Sequence, residues 1–364
     1  MNSLFYELIR VAIGTQESLS RLPSQKEWKA LYDMAKKQSL VGVCFAALQR
    51  LGADADEGFA RIGISEMQYL TWMGMTAKIQ QKNETVNQQC AELQAKLSAD
   101  GFRSCVLKGQ GLGTLYGSLS MLRQSGDIDL WLDADIDEVV PYVMKQYPVK
   151  IYDIKHIEYD MFTDTSVELH YQPSIMRTPW YRRRMAAFSK KLACWDNYVD
   201  LGLQKITVPK TDYNIVYVLQ HIYGHLFENE MSLRQFMDYY MVLRQADKEG
   251  IDKAAAYNMM KRIGMDRFAS ATMWLLQEVF AMPHKLMICE PDEKEGRYLL
   301  GLVLNKEKKQ KWEYGSVQRF VNEMIRQMKF SMHIMSHYPS EAIWAPIWLV
   351  YHFFWKRIHR FNLH

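Results

Sequence analysis

The segment Gly126-Asp127-Ile128-Asp129-Leu130 sets two carboxylates at alternate positions among apolar residues. Such alternation predicts a strand, on which residues two apart point to the same side. Ile128 and Leu130 then face the core, and Asp127 and Asp129 share the opposite face. Two carboxylates held that close repel each other. A hard cation such as Mg²⁺ or Mn²⁺, which takes oxygen ligands, relieves the repulsion. A solvated edge bearing two ordinary aspartates is the alternative reading of the pair taken alone.

Two other segments bear on the choice. Leu107-Lys108-Gly109-Gln110-Gly111 follows a short apolar strand from Ser104 and precedes a helix expected near 110–117. Gly109 lets backbone approach a ligand closely, and the helix N-terminus can offer amides to a phosphate. Lys108 can add a charge-assisted contact. The GxxxxGK[ST] pattern of a P-loop is absent. Later, Val167-Glu168-Leu169-His170 alternates again, with Glu168 and His170 on the outer face. If that strand lies beside the first, Glu168 is a third carboxylate over one cleft. Three acids from two strands can then hold cations that activate a hydroxyl and neutralise phosphoryl charge.

The elements that must position these residues are legible in outline. A helix with Asp135 as cap and Glu138 three residues on should end before Pro148, with Pro141 inside it. Strands are expected near 151–162 and 166–171, joined by Thr163-Asp164-Thr165. Before this unit the chain reads as helical. Ser24 caps a segment bearing Trp28, Leu31 and Ala35, and a long helix covers about 65–97 with Ile79, Val86, Cys90, Leu93 and Leu97 on one face. After Thr178, helices are expected near 179–193, 212–227, 231–245, 251–262, 266–280, 295–306, 315–335 and 341–358, separated by Pro and Gly breaks. The expected class is therefore α+β, a small mixed-sheet core over 99–177 between helical regions at 1–98 and 178–364.

Taken together, Leu107-Lys108-Gly109, Leu122 to Leu130 and Val167-Glu168-Leu169-His170 resemble an uncharacterised bacterial nucleotidyltransferase family within the DNA polymerase beta-like superfamily. The resemblance is strongest over about 105–172. It implies that Asp127 and Asp129 bind metal, that Glu168 is the third acid, and that Lys108 and Gly109 form the nucleotide-phosphate turn. Arg123 matches a basic position that meets phosphate or orients the loop. His156 matches another basic position, and Leu233-Arg234-Gln235-Phe236-Met237-Asp238 matches a further pattern. His156, His170 and Arg234 are thus candidate substrate contacts. A literal Gly-Ser at Gly117-Ser118 competes with Gly109 for the turn. Glu168 stands where Asp is commoner.

Other residues read more plainly. Trp131, on the face of Asp129, is expected in the core rather than over a base. His221 and His225 lack the third ligand of a zinc site. Arg182-Arg183-Arg184 and Lys190-Lys191 read as a solvated helix face, with a polyanionic acceptor as the alternative. The apolar C-terminus from Ile343, ending in basic residues, is too short to span a bilayer. Packing into the helical body is expected there, with peripheral membrane contact the less favoured reading.

Composition sets the frame. The 364 residues are 48% hydrophobic and 24% charged, which excludes a disordered, collagen-like or disulfide-scaffold protein. The formal net charge of +4 is too small for a dedicated nucleic acid binder, so no stable DNA binding is expected. Five scattered cysteines suit a reducing compartment, and the N-terminus reads as a helix rather than a signal peptide, so the cytoplasm is the expected location. The expected activity is metal-dependent transfer of a nucleoside monophosphate from an NTP to a small-molecule, protein or RNA hydroxyl. The alternative is a catalytically inactive nucleotide-sensing or protein-interaction module on the same fold.

Overall fold

The computed structural model describes residues 2–52, 58–228, 230–305 and 317–359. Its sheet consists of β1 (Ser104–Val106), β2 (Ile128–Leu132), β3 (Val149–Tyr152), β4 (His156–Tyr159) and β5 (Val167–His170). The spatial order is β1-β2-β5-β4-β3. Only the central β2–β5 pair is parallel among these strands, and the other three pairings are antiparallel. The sheet is therefore mixed, with mostly helical regions on either side, as the patterning implies.

Between β2 and β5 run the helix Ile136–Met144 and the β3–β4 hairpin. Asp135 precedes that helix without a side-chain capping bond, and Pro141 sits inside it. The single strand expected over 151–162 is in fact two strands. The chain there contains no Gly or Pro to announce a turn. Instead the Asp153 carboxylate accepts the backbone N–H groups of Lys155 and His156, at 2.7 and 3.0 Å, and so closes the turn with its own side chain. The helix expected over 110–117 is also broken. An α-helical turn covers Gly109–Gly113, and a 3-10 segment, Thr114–Leu122, is kinked where Gly117 takes φ 57°.

A second hairpin, β6 (Tyr198–Leu201) with β7 (Gln204–Thr207), went unread in the sequence. It turns through Gly202 at φ 64°. It joins the sheet region by docking on the long helix, where the Thr207 amide donates to Gln94 Oε1 at 2.8 Å.

That long helix, Glu66–Ala99, starts at a capping box on Ser65, and the helix Gln25–Lys37 starts at another on Ser24. Its first half buries Tyr69, Trp72 and Ile79 in the helical core, and its second half buries Val86, Cys90, Leu93 and Leu97 against the sheet. One rigid rod thus ties the two cores together. The N-terminal helix Asn2–Ile13 packs into the same helical core as the helix Asp266–Phe280, and Thr15 Oγ1 donates to the Phe280 carbonyl at 2.9 Å. The two helical regions, far apart in sequence, share one apolar interior.

The later helices lie at Pro179–Leu192, Thr211–Leu226, Leu233–Lys248, Lys253–Arg262, Asp266–Phe280, Glu293–Leu304, Val317–Ile334 and Pro339–Ile358, close to their expected positions. Residues 306, 315 and 316 of two expected helices, and Arg360, lie outside the described residues. All five cysteines are free thiols, four of them buried. Among the described residues no helix is long and apolar enough to cross a membrane.

Candidate active site

The parallel pairing of β2 with β5 places Asp129 directly opposite Glu168. Side chains at paired positions share a face, so two acids from distant segments meet. Asp127 completes the group, and carboxylate oxygens of Asp127, Asp129 and Glu168 all lie within 4.8 Å of one another. Ile128 and Leu130 are buried on the opposite side, as the alternation requires. Asp129 is only 4% exposed, whereas Asp127 is open to solvent by area though surrounded by protein at the cavity mouth.

Asp129 and Glu168 both have cationic or imidazole partners. Lys108 Nζ lies 2.6 Å from Asp129 Oδ1. His170 Nε2 lies 2.9 Å from the same oxygen and 3.3 Å from Glu168 Oε2, bridging the two acids. β4 pairs His156 with His170, and His156 Nε2 stands 3.7 Å from Glu168 Oε2. Each pKa follows from these neighbours. Burial raises the Asp129 carboxyl, but Lys108 and His170 overcome it and hold the group well below the usual carboxylate range. Burial likewise works against the charge on Glu168, and the hydrogen bond and charge of His170 together with His156 outweigh it, lowering the carboxyl. Asp127 goes the other way, raised first by the negative charge of Asp129 and then by burial. Burial pushes His156 down to about 4.

Lys108 and Gly109 stand where β1 turns into its helix, and both line the same cavity as the acids. Gly109 has φ 41°, a conformation that side-chain-bearing residues rarely adopt. Two residues on, a Cβ at Gly111 would come within 2.8 Å of the Val106 carbonyl oxygen, so only glycine lets the turn fold back on β1. Gly117 and Ser118 lie exposed on the 3-10 segment.

The helical region closes the cavity, whose volume is about 1450 Å³. Arg123, 3% exposed, is gripped by Asp238 of the helix Leu233–Lys248, with Nε to Oδ1 at 2.7 Å and Nη2 to Oδ2 at 2.8 Å. The Tyr116 hydroxyl donates to the same carboxylate at 2.6 Å. Arg123 Nη1 is buried without a hydrogen-bond partner. Arg234 lies 3.7 Å from Asp238, so the pairing expected within that helix is present but secondary to the one with Arg123. Burial lowers the Asp238 carboxyl's tendency to ionise, and the charge and hydrogen bonds of Arg123, with Arg234 and Tyr116, together more than reverse this, leaving its pKa below the usual range.

His221 and His225 face each other at 3.0 Å across one turn and also line the cavity. With Glu228 and Glu230, His225 forms a further cluster of metal-ligand type. Trp131 is buried and packs edge-on against Trp195 and stacked with Tyr213, in the core as expected. Of the basic run, Arg183, Arg184, Lys190 and Lys191 are exposed, but Arg182 lies over the Trp348 ring at 4.0 Å. Trp348 and His352 also line the cavity. Sequence reasoning missed them as site residues. Their one signal is a polar residue and an aromatic four apart on the inward face of an apolar helix.

A family model described as uncharacterised nucleotidyltransferase matches residues 24–281. The chain belongs to this family. No curated protein matches it. Among solved structures, the crystal structure of an antigenic nucleotidyltransferase-like protein from Paracoccidioides brasiliensis is similar at 13% identity and a TM-score of 0.37, over 58% of this chain and 96% of that one. In this member of the uncharacterised nucleotidyltransferase family, the donor set suits a hard divalent cation. Three carboxylates converge, and an ammonium and an imidazole sit against them. His156, Glu168 and His170 form an overlapping group with mixed nitrogen and oxygen donors.

Proposed function

We propose that this chain transfers a nucleoside monophosphate from an NTP to a hydroxyl acceptor, with Asp127, Asp129 and Glu168 holding Mg²⁺ or Mn²⁺. The observation that carries the proposal is the meeting of the three carboxylates through the Asp129–Glu168 register of β2 and β5. Membership in the uncharacterised nucleotidyltransferase family supports it. When bound, the cation neutralises phosphate charge and makes a nearby hydroxyl more acidic.

The chain's own residues supply the rest. The Gly109 turn and Lys108 steady the triphosphate, Arg234 adds positive charge on the adjoining wall, and Arg123, held by Asp238, orients the loop before Asp127. The acceptor enters on the side of His221 and Trp348, and Glu168 takes its proton. The acceptor oxygen bonds to the α-phosphorus, the bond to the bridging oxygen breaks, and pyrophosphate leaves with the electron pair. The acceptor is a small molecule, a protein or an RNA end. The nucleotidyltransferase core is assigned to 99–177, and the cytoplasm is the proposed location.

Purified protein incubated with labelled NTPs, Mg²⁺ or Mn²⁺ and cell extract should label an acceptor, and D127A/D129A should abolish the label. Labelling that survives both substitutions overturns the proposal. A second reading, a nucleotide sensor without turnover, is favoured by one contact, the Lys108 ammonium seated 2.6 Å from Asp129. Nucleotide binding with no labelled product across complete extracts would support the sensor.

A further inference from the structure

Two helices at the C-terminal end, Val317–Ile334 and Pro339–Ile358, form an antiparallel hairpin. Their rings stack across the pair, Phe320 on Phe353 with centroids 4.0 Å apart. The inner side of the hairpin belongs to the cavity, through Arg326, Gln327, Trp348 and His352. The outer side is apolar. On the first helix Val321, Ile325, Met328 and Met332 are exposed, at the i, i+4, i+7, i+11 spacing of a single face. On the second, Ile343, Ile347, Val350, Tyr351, Phe354 and Ile358 repeat the pattern. In each helix the stripe lies the same rotation away from the stacked phenylalanine. Because the helices run in opposite directions, that rotation brings both stripes to one outer side.

Charge is segregated in the same sense. The acids of the two helices do not reach the outer face. Glu341 is buried and accepts the backbone N–H groups of Arg177 and Thr178, both at 2.8 Å, while Glu323 pairs with Arg326 on the cavity wall. The cations Lys329 and Arg357 are exposed, the latter lying over the Phe353 ring. An apolar face with basic residues beside it and no outward acid matches an anionic bilayer surface, into which such a helix lies in plane. Neither helix is long and apolar enough to cross one.

We propose that this hairpin docks its outer face on an anionic lipid surface. The cavity, whose wall is the hairpin's inner face, is thereby held beside the bilayer. The docking does not depend on the proposed transfer reaction.

The test is flotation of the full chain with vesicles of phosphatidylcholine, alone or mixed with phosphatidylglycerol. At low salt, partition onto the anionic vesicles should exceed that onto neutral ones by about tenfold or more and fall as salt is raised, as expected for two cations near a charged surface. I325E/I347E/F354E should abolish flotation while keeping the circular dichroism spectrum and thermal midpoint of the wild type, since all three residues are exposed. D127A/D129A should float as the wild type does, whatever its transfer activity. Absence of flotation with anionic vesicles overturns the proposal, as does a triple variant that floats unchanged. A wild-type dimer that the triple variant converts to monomer, with no vesicle binding, overturns it too and assigns the face to a second copy.

Discussion

Arg123, on the loop leading into the acidic strand, makes a two-pronged ion pair with Asp238, which lies 115 residues later on a helix of the other region. Both side chains are almost wholly buried, and Tyr116 completes the carboxylate's shell. The pair fastens the loop before Asp127 to the helical wall of the cavity. Desolvation makes such a pair weak as a net source of stability, but removing one member leaves the other charge buried and unpaired. Asp238→Asn should therefore destabilise the protein by about 3–5 kcal/mol, read as a lowered urea midpoint. A change within experimental error would show that the loop is fastened by other contacts.

The same pair predicts a pH dependence. The Asp238 carboxyl titrates below its ordinary value in the folded chain because the contacts with Arg123, Arg234 and Tyr116 together outweigh the effect of burial. At acid pH the unfolded state then binds the proton first, so stability rises with pH across that window. The contribution is complete above the ordinary carboxylate range and is lost as pH falls through the depressed folded value. The stability gap between wild type and Asp238→Asn should stay constant near neutrality and narrow on acidification, in urea titrations run at successive pH values.

Asp127 and Asp129 should separate stability from activity. Asp127 is raised by the charge of Asp129 and by burial, so its ionised form is repelled in the metal-free protein. Asp127→Asn should raise the thermal midpoint without divalent cation and reduce transfer by at least about 100-fold, at the upper end of what disturbing a metal site costs. Asp129→Asn should instead remove the negative charge that Lys108 and His170 share and lower the midpoint. Thermal melts of both variants with and without Mn²⁺ distinguish the two.

Lys108 sits on one oxygen of the Asp129 carboxylate, which a cation would share. Lys108→Met should tighten Mn²⁺ binding in the absence of nucleotide and weaken NTP binding, each on the order of tenfold, the scale of one charge-assisted hydrogen bond. Calorimetric titration with Mn²⁺ alone, then with an NTP, reads both. Weaker Mn²⁺ binding in the variant would contradict competition for that carboxylate.

Gly111→Ala would bring its Cβ to 2.8 Å from the Val106 carbonyl, which belongs to backbone and cannot swing away. The cost should be about 1–3 kcal/mol, as for other overpacked sites, accompanied by loss of nucleotide affinity as the turn shifts. Gly101→Ala has open space around it, so any loss there reflects its φ of 90° and should leave nucleotide affinity unchanged.

Short-range chemistry determined much of this protein from its sequence. Alternation around Ile128 and Leu130 put Asp127 and Asp129 on one face, Val167 and Leu169 did the same for Glu168 and His170, and helical periodicity marked out the flanking regions. These are consequences of a period of two or of 3.6, visible in a few residues. The Asp153 turn escaped notice because a side chain, rather than a Gly or Pro, closes it. What tertiary structure alone decided is which segments meet. The parallel register setting Asp129 against Glu168, the grip of Asp238 on Arg123, and the closing of the cavity by Trp348 and His352 all join residues tens to hundreds of positions apart. No local pattern carries such contacts, because they are fixed by how a shared apolar interior packs helices from both ends of the chain around one small sheet.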